Sequence, residues 1–189
     1  MIAASPWTVP VTRLRRAPGA RQAECRTGRL AGGPLTVVDS EVPAGATVVV
    51  DVVLDAVIGG VEVSGHVRAP WAGLCRRCLR PVTGELDTAV RELYRPASPA
   101  PKFGAASAPD ASEDEETYPL GGDLLDLAPL ARDALLLALP LAPLCRPDCA
   151  GLCPTCGADL NEGLCACPPA AADPRWSVLD ALREDGEAR

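Results

Sequence analysis

The stretch Ala46-Thr47-Val48-Val49-Val50-Asp51-Val52-Val53-Leu54-Asp55-Ala56-Val57-Ile58, followed by Gly59-Gly60 and Val61-Glu62-Val63-Ser64-Gly65-His66-Val67-Arg68-Ala69, decides the fold. Its first half is β-branched throughout, with Val48, Val50, Val52 and Leu54 on one face of an extended strand. Gly59-Gly60 reads as a two-residue hairpin turn. The return strand alternates, with Val61, Val63, Val67 and Ala69 inward and Glu62, Ser64, His66 and Arg68 outward. A third strand, from about Val82 to Tyr94, follows the turn Cys75-Arg76-Arg77-Cys78. The expectation is an antiparallel β-meander over residues 35–95.

On either side the material changes. Residues 1–34 form a basic segment, with Arg13, Arg15, Arg16, Arg21, Arg26 and Arg29 against Glu24 alone. Those arginines suit phosphate or an acidic partner, or an ordinary solvated segment. Residues 96–121 are rich in Pro, Ala and Ser and carry the acidic run Glu113-Asp114-Glu115-Glu116, which reads as a disordered tether. Residues 122–144 read as a helix packed on the sheet, with Asp123 or Asp126 as N-cap and Pro129 in the first turn. Leu127, Leu130, Ala131, Ala134, Leu135 and Ala138 form its stripe. Leu136, Leu137 and Leu139 widen that stripe, so cover on more than one side is expected. Pro140 ends the helix. Residues 145–189 are cysteine-rich and close with a short helix from Asp173-Pro174 that displays Trp176, Leu179 and Leu182. The fold class is α+β: a meander, one main helix, a zinc-binding segment and a short terminal helix.

The chain has 189 residues, a net charge of -7, three Trp, two Tyr and one Phe. That balance argues against a protein that grips bare nucleic acid over most of its surface. No apolar run is long enough for an export signal or a bilayer span, because the longest, Ala134 to Cys145, is broken by Pro140 and Pro143. A cytoplasmic, reducing compartment is expected, where structural disulfides are rare. Nine cysteines then need another explanation.

Eight of them form close pairs, and Cys25 stands alone as a small buried apolar residue. In Cys153-Pro154-Thr155-Cys156-Gly157 two sulfurs can curl around one ion, and Gly157 suits the left-handed conformation that such a knuckle needs. Cys165-Ala166-Cys167 can complete the site, so Cys153, Cys156, Cys165 and Cys167 are the first candidate zinc ligands. Cys75, Cys78, Cys145 and Cys149 form a candidate second site that would clip the helix to the sheet. Arg76, Arg77, Arg80 and Arg146 are placed to offset its charge. Leu79 stands where a knuckle glycine is expected. Spacing alone leaves the grouping open, because Cys145 to Cys156 can also ligate together.

His66 is the single histidine and reads as solvated. There is no Ser–His–Asp or Cys–His constellation, no phosphate loop and no dinucleotide fingerprint. Four sulfurs on one zinc leave no open coordination position, so the metal is structural and no enzyme is expected.

Four stretches resemble the YceD family, the large ribosomal RNA subunit accumulation proteins of bacteria and plastids. They are Gly60-Val61-Glu62-Val63-Ser64-Gly65 with Cys75-Arg76-Arg77-Cys78-Leu79; Gly122-Asp123-Leu124-Leu125-Asp126-Leu127; Leu137 through Cys145; and Cys149 through Gly157, continuing to Asp173-Pro174-Arg175-Trp176. Leu14-Arg15-Arg16-Ala17-Pro18-Gly19 resembles the start of its actinobacterial members. Cys165-Ala166-Cys167 departs from the histidine-rich ending of many of them, an exchange that keeps the capacity for zinc.

The resemblance implies a non-enzymatic part in large-subunit (23S) ribosomal RNA accumulation, hence ribosome biogenesis. Its implied partners are a ribosomal RNA precursor, a large-subunit ribosomal protein, or both, with no membrane and no small-molecule substrate. The alternatives are a zinc-ribbon accessory protein in transcription and a thiol oxidoreductase, although neither CxxC pair sits at the helix start that thioredoxin-like chemistry uses.

Overall fold

The computed structural model describes residues 5–96, 117–168 and 175. In chain order the elements are β1 (Thr8–Pro10), α1 (Thr12–Arg16), β2 (Arg21–Gly28), β3 (Leu35–Val37), β4 (Ser40–Val42), β5 (Val48–Val57), β6 (Gly60–Leu74), β7 (Pro81–Pro96), β8 (Thr117–Leu120), β9 (Leu124–Asp126) and α2 (Ala128–Ala138). Most of the sheet is antiparallel, in an α+β arrangement with two helices.

The alternation in β5 and β6 becomes burial. Val48, Val50, Val52, Leu54, Val61, Val63, Val67 and Ala69 are each at most 2% exposed. Each buried Val or Leu contributes about 1.5–3 kcal/mol by leaving water. β2 pairs with β5, β5 with β6 and β6 with β7, all antiparallel. β4 takes up β6 beyond the point where β5 leaves it, through Ser40↔Gly73 and Glu41↔Ala72. β3 pairs with β4 in turn.

The β5–β6 turn differs by one residue from the sequence expectation. Val57 pairs with Gly60, so Ile58-Gly59 forms the turn, with Gly59 at φ 84°. Gly60 is already strand, and a Cβ there would lie 2.2 Å from the Tyr94 carbonyl oxygen.

Other expectations also change. The segment 1–34, distinguished by charge alone, contains β1, α1 and β2. Of the tether expected over residues 96–121, Pro96 belongs to β7 and Thr117–Leu120 pairs with it in parallel, while residues 97–116 lie outside the described residues. There Tyr118 stacks on Tyr94 with ring centroids 5.1 Å apart.

The helix begins at Ala128. Leu124, Leu125, Asp126 and Leu127 alternate out and in, and residues 124–126 pair with β1 as a strand. Asp126 still serves the helix start, accepting a hydrogen bond from the Ala128 N–H at 3.0 Å. Leu127 donates its N–H to the Trp7 carbonyl at 3.0 Å. Leu130, Ala131 and Leu135 are buried against the sheet's inner face, together with Trp7, Val9, Val11 and Leu14. Of the three residues expected to widen the helix's stripe, Leu139 is buried in the core and Leu136 packs against it, while Leu137 is 88% exposed. Leu139 turns extended ahead of Pro140 and ends the helix.

The chain divides into two compact units, 1–149 and 150–189. Cys145 and Cys149 therefore belong to the first unit and not to a single cysteine-rich segment 145–189. The acidic run 113–116 and the terminal helix expected from Asp173-Pro174, with Trp176, lie outside the described residues.

Candidate metal centres

The first centre forms where β6 ends and β7 begins. The Cys75 N–H donates to the Arg80 carbonyl at 2.8 Å, and the Leu79 N–H donates to the Cys75 carbonyl at 2.8 Å. This closes a tight knuckle over Cys75 and Cys78. The chain leaving α2 is fastened beside it by three bonds. The Ser40 hydroxyl donates to the Pro140 carbonyl at 2.7 Å, the Arg76 N–H to the Pro143 carbonyl at 2.9 Å, and the Arg77 Nη1 to the Cys149 carbonyl at 2.8 Å. These contacts carry Cys145 and Cys149 to the knuckle, and the four sulfurs lie within 4.8 Å of one another. Cys75 Sγ is 3.8 Å from Cys149 Sγ, and Cys78 Sγ is 3.6 Å from Cys145 Sγ. Both distances far exceed a disulfide bond of about 2.05 Å.

The second centre repeats the knuckle within residues 150–168. The Cys153 N–H donates to the Ala158 carbonyl at 2.8 Å, and the Gly157 N–H to the Cys153 carbonyl at 2.9 Å. The Sγ atoms of Cys153, Cys156, Cys165 and Cys167 again lie within 4.8 Å of one another. Asn161 braces the loop by accepting from the Ala150 N–H at 2.9 Å. Cys145 and Cys149 thus group with Cys75 and Cys78, and the alternative set Cys145 to Cys156 is not assembled.

Leu79 occupies the glycine position of the first knuckle at φ 60°, where Gly157 of the second stands at φ 73°. A leucine there carries a strain of about 1–2 kcal/mol that a glycine avoids. Its side chain points to solvent, with the residue 60% exposed. The missing glycine therefore does not prevent the knuckle from forming.

The sulfurs of each cluster are electrostatically unequal. Cys75 is lowered to about 6, chiefly by the Cys78 N–H directed at its sulfur, and burial opposes this only in part. Cys153 is lowered to about 6 by the N–H groups of Cys156 and Thr155. Conversely, Cys145 is pushed up to about 12 by loss of hydration and by its thiol neighbours, with Cys78 Sγ 3.6 Å away. Cys167 is pushed up to about 12 by its hydrogen bond with Cys156 and by burial. In each cluster one thiolate forms readily, and its negative charge discourages the others. A bound cation resolves that conflict, so either cluster could hold a metal ion.

The neighbouring arginines have oxygen partners. Arg76 pairs with Asp39 at 3.0 Å and Arg146 with Asp148 at 3.4 Å, while Arg80 lends its carbonyl to the knuckle. His66 is exposed on the sheet, with Nδ1 2.7 Å from Asp87 Oδ1. Asp87 also accepts from Arg68 Nε at 3.0 Å, and the Arg68 and His66 contacts hold its carboxyl below the usual range. Cys25 is exposed, contrary to the buried position expected for it. It lies on the edge strand β2 opposite Asp51, on the outward side of the alternation. Sequence reasoning missed Ser40, the buried polar residue that anchors Pro140, because a lone serine between short strands carries no distinguishing pattern.

No helix among the described residues is long and apolar enough to cross a membrane. The family model described as large ribosomal RNA subunit accumulation protein YceD matches residues 63–183. An uncharacterized protein of Mycobacterium bovis is 36% identical over 183 residues, which span 93% of this chain and 81% of that one. One from Mycobacterium leprae is 35% identical over 188 residues, 96% of this chain and 80% of that one. The maize protein named large ribosomal RNA subunit accumulation protein YCED homolog 1, chloroplastic, is 29% identical over 161 residues, 74% of this chain and 54% of its own length. No solved structure matches the chain.

Proposed function

Because the chain belongs to the YceD family, we propose that it is a non-enzymatic factor for large-subunit ribosomal RNA accumulation, acting in ribosome biogenesis in the reducing cytoplasm. The observation that carries this reading is the family match over residues 63–183, a span that contains all eight clustered cysteines. The partners are a ribosomal RNA precursor, a large-subunit ribosomal protein, or both.

Each cluster takes one structural zinc ion. Tetrahedral zinc bound to thiolates at about 2.3 Å sets the sulfurs about 3.8 Å apart. The first cluster's pairs at 3.6 and 3.8 Å match that edge. Four thiolates complete the zinc shell, which leaves no position for a catalytic water. The metal closes the fold, and the surface it stabilises meets the assembling subunit. Depletion of the protein in growing cells should lower large-subunit ribosomal RNA relative to small-subunit RNA, read by quantifying both after gel separation. An unchanged ratio would overturn the proposal.

A further inference from the structure

The arginines of the N-terminal region are gathered around α1. Leu14, 2% exposed, seats the helix in the core, and Arg15 fixes its other side by donating to the Gly122 carbonyl at 2.8 Å and to Asp123 at 2.9 Å. Between α1 and the start of β2 runs a groove of about 590 Å³, lined by Thr12, Arg13, Ala17, Arg21 and Gln22 over the floor made by Leu14. A smaller groove of about 220 Å³ on the other flank of Leu14 is lined by Arg15. Arg21 is balanced by Asp55 and Arg15 by Asp123. Arg13 and Arg16 are exposed, and none of the ion pairs among the described residues engages them.

This is a local excess of positive charge on a chain whose net charge is -7. We propose that the α1–β2 groove and the exposed side of α1 beside it are an RNA-docking surface, in which Arg13 on the groove wall and Arg16, one turn further along α1, hold backbone phosphates. It rests on the ribosomal RNA role proposed above. Guanidinium groups match phosphate through paired hydrogen bonds, and α1 presents them on a seated element instead of a free tail. No aromatic side chain lines the groove, and Trp7, the nearest in sequence, is 2% exposed. The groove therefore reads the charge and shape of the backbone and does not stack bases. Its lining offers no exposed large apolar side chain to anchor a peptide.

The test uses the full zinc-loaded chain and fluorescence anisotropy with a labelled large-subunit ribosomal RNA fragment, and with labelled polyglutamate as the acidic-polypeptide probe. The double variant Arg13→Glu/Arg16→Glu should weaken RNA binding by at least about tenfold and flatten its salt dependence by about two units of slope. Its circular dichroism should match the parent, because neither side chain has a partner to lose. Arg13→Lys/Arg16→Lys keeps the charge but loses the paired hydrogen bonds, so it should bind less tightly than the parent and more tightly than the charge-reversed variant, with the parent's salt slope kept. Equal RNA binding by the charge-reversed variant, no RNA binding by the parent, or tighter binding of polyglutamate than of RNA would each overturn the proposal. The depletion experiment separates this from the wider role. A fallen large-subunit ratio without RNA binding removes only the groove, and binding through the groove with an unchanged ratio removes only the biogenesis role.

Discussion

Around Cys75 the knuckle closes a hairpin whose strands bury Val61, Val63, Val67 and Leu86 beneath α2. Around Cys153 the same two hydrogen bonds close a segment in which Gly151 and Cys153 are the only buried residues among those described in that unit. None of its described residues belongs to the hydrophobic core, and the one β contact among them is the bridge Leu152↔Asp159. Identical local geometry therefore serves two ends. In the first unit a bound metal would reinforce a fold that burial already supports, whereas in the second it would stand in for the core that the described residues lack.

The largest expected effect comes from stripping the metal with a strong zinc chelator. A structural zinc site contributes on the order of 10 kcal/mol to a small unit without a core. Amides of residues 150–168 should then exchange with solvent at unfolded rates, while those of β5 and β6 keep most of their protection. Equal loss in both units would break the comparison.

Leu135→Ala should act in the opposite sense. It opens a cavity under the fully buried side chain of α2 and should cost the first unit about 3 kcal/mol in denaturant unfolding, with no change in protection over residues 150–168. A shared loss would mean that the two units unfold together.

A smaller effect compares the knuckles directly. Leu79→Gly should stabilise the first unit by up to about 1 kcal/mol, and Gly157→Ala should weaken metal retention in the second by a similar amount. A destabilising Leu79→Gly would show that leucine there contributes packing that outweighs its backbone strain.

The smallest effect lies on the outer sheet face. The Asp87 carboxyl is held low by Arg68 and His66, so its contribution is full above the ordinary carboxylate value of about 4 and is lost as pH falls through the depressed one. Asp87→Asn should therefore be slightly less stable than the parent near neutrality and indistinguishable from it in strong acid. A gap that persists in acid would assign the effect to packing.

Strict alternation made β5 and β6 legible from sequence, and the CxxCG spacing did the same for the Cys153 knuckle. β2 escaped because its inward positions are Gln22, Glu24 and Arg26, half-buried polar residues that hide the period of two. The turn into α2 was misjudged because Leu124 to Leu127 fits a helical stripe as well as a short strand. The exposure of Cys25 follows from its phase on β2, which became visible only once that strand was paired. Cys145 and Cys149 join Cys75 and Cys78 because Ser40, Arg76 and Arg77 fasten the chain after α2 to the β6–β7 tip, a tertiary arrangement that spacing alone does not encode.

The central claim is that each cluster holds its own zinc. Native mass spectrometry of the purified full chain, compared with Cys149→Ser and Cys156→Ser, tests it most directly. Two zinc ions in the parent and one in each variant are predicted. A metal-free parent, a single ion, or a parent lighter by the hydrogens lost to disulfides would contradict it.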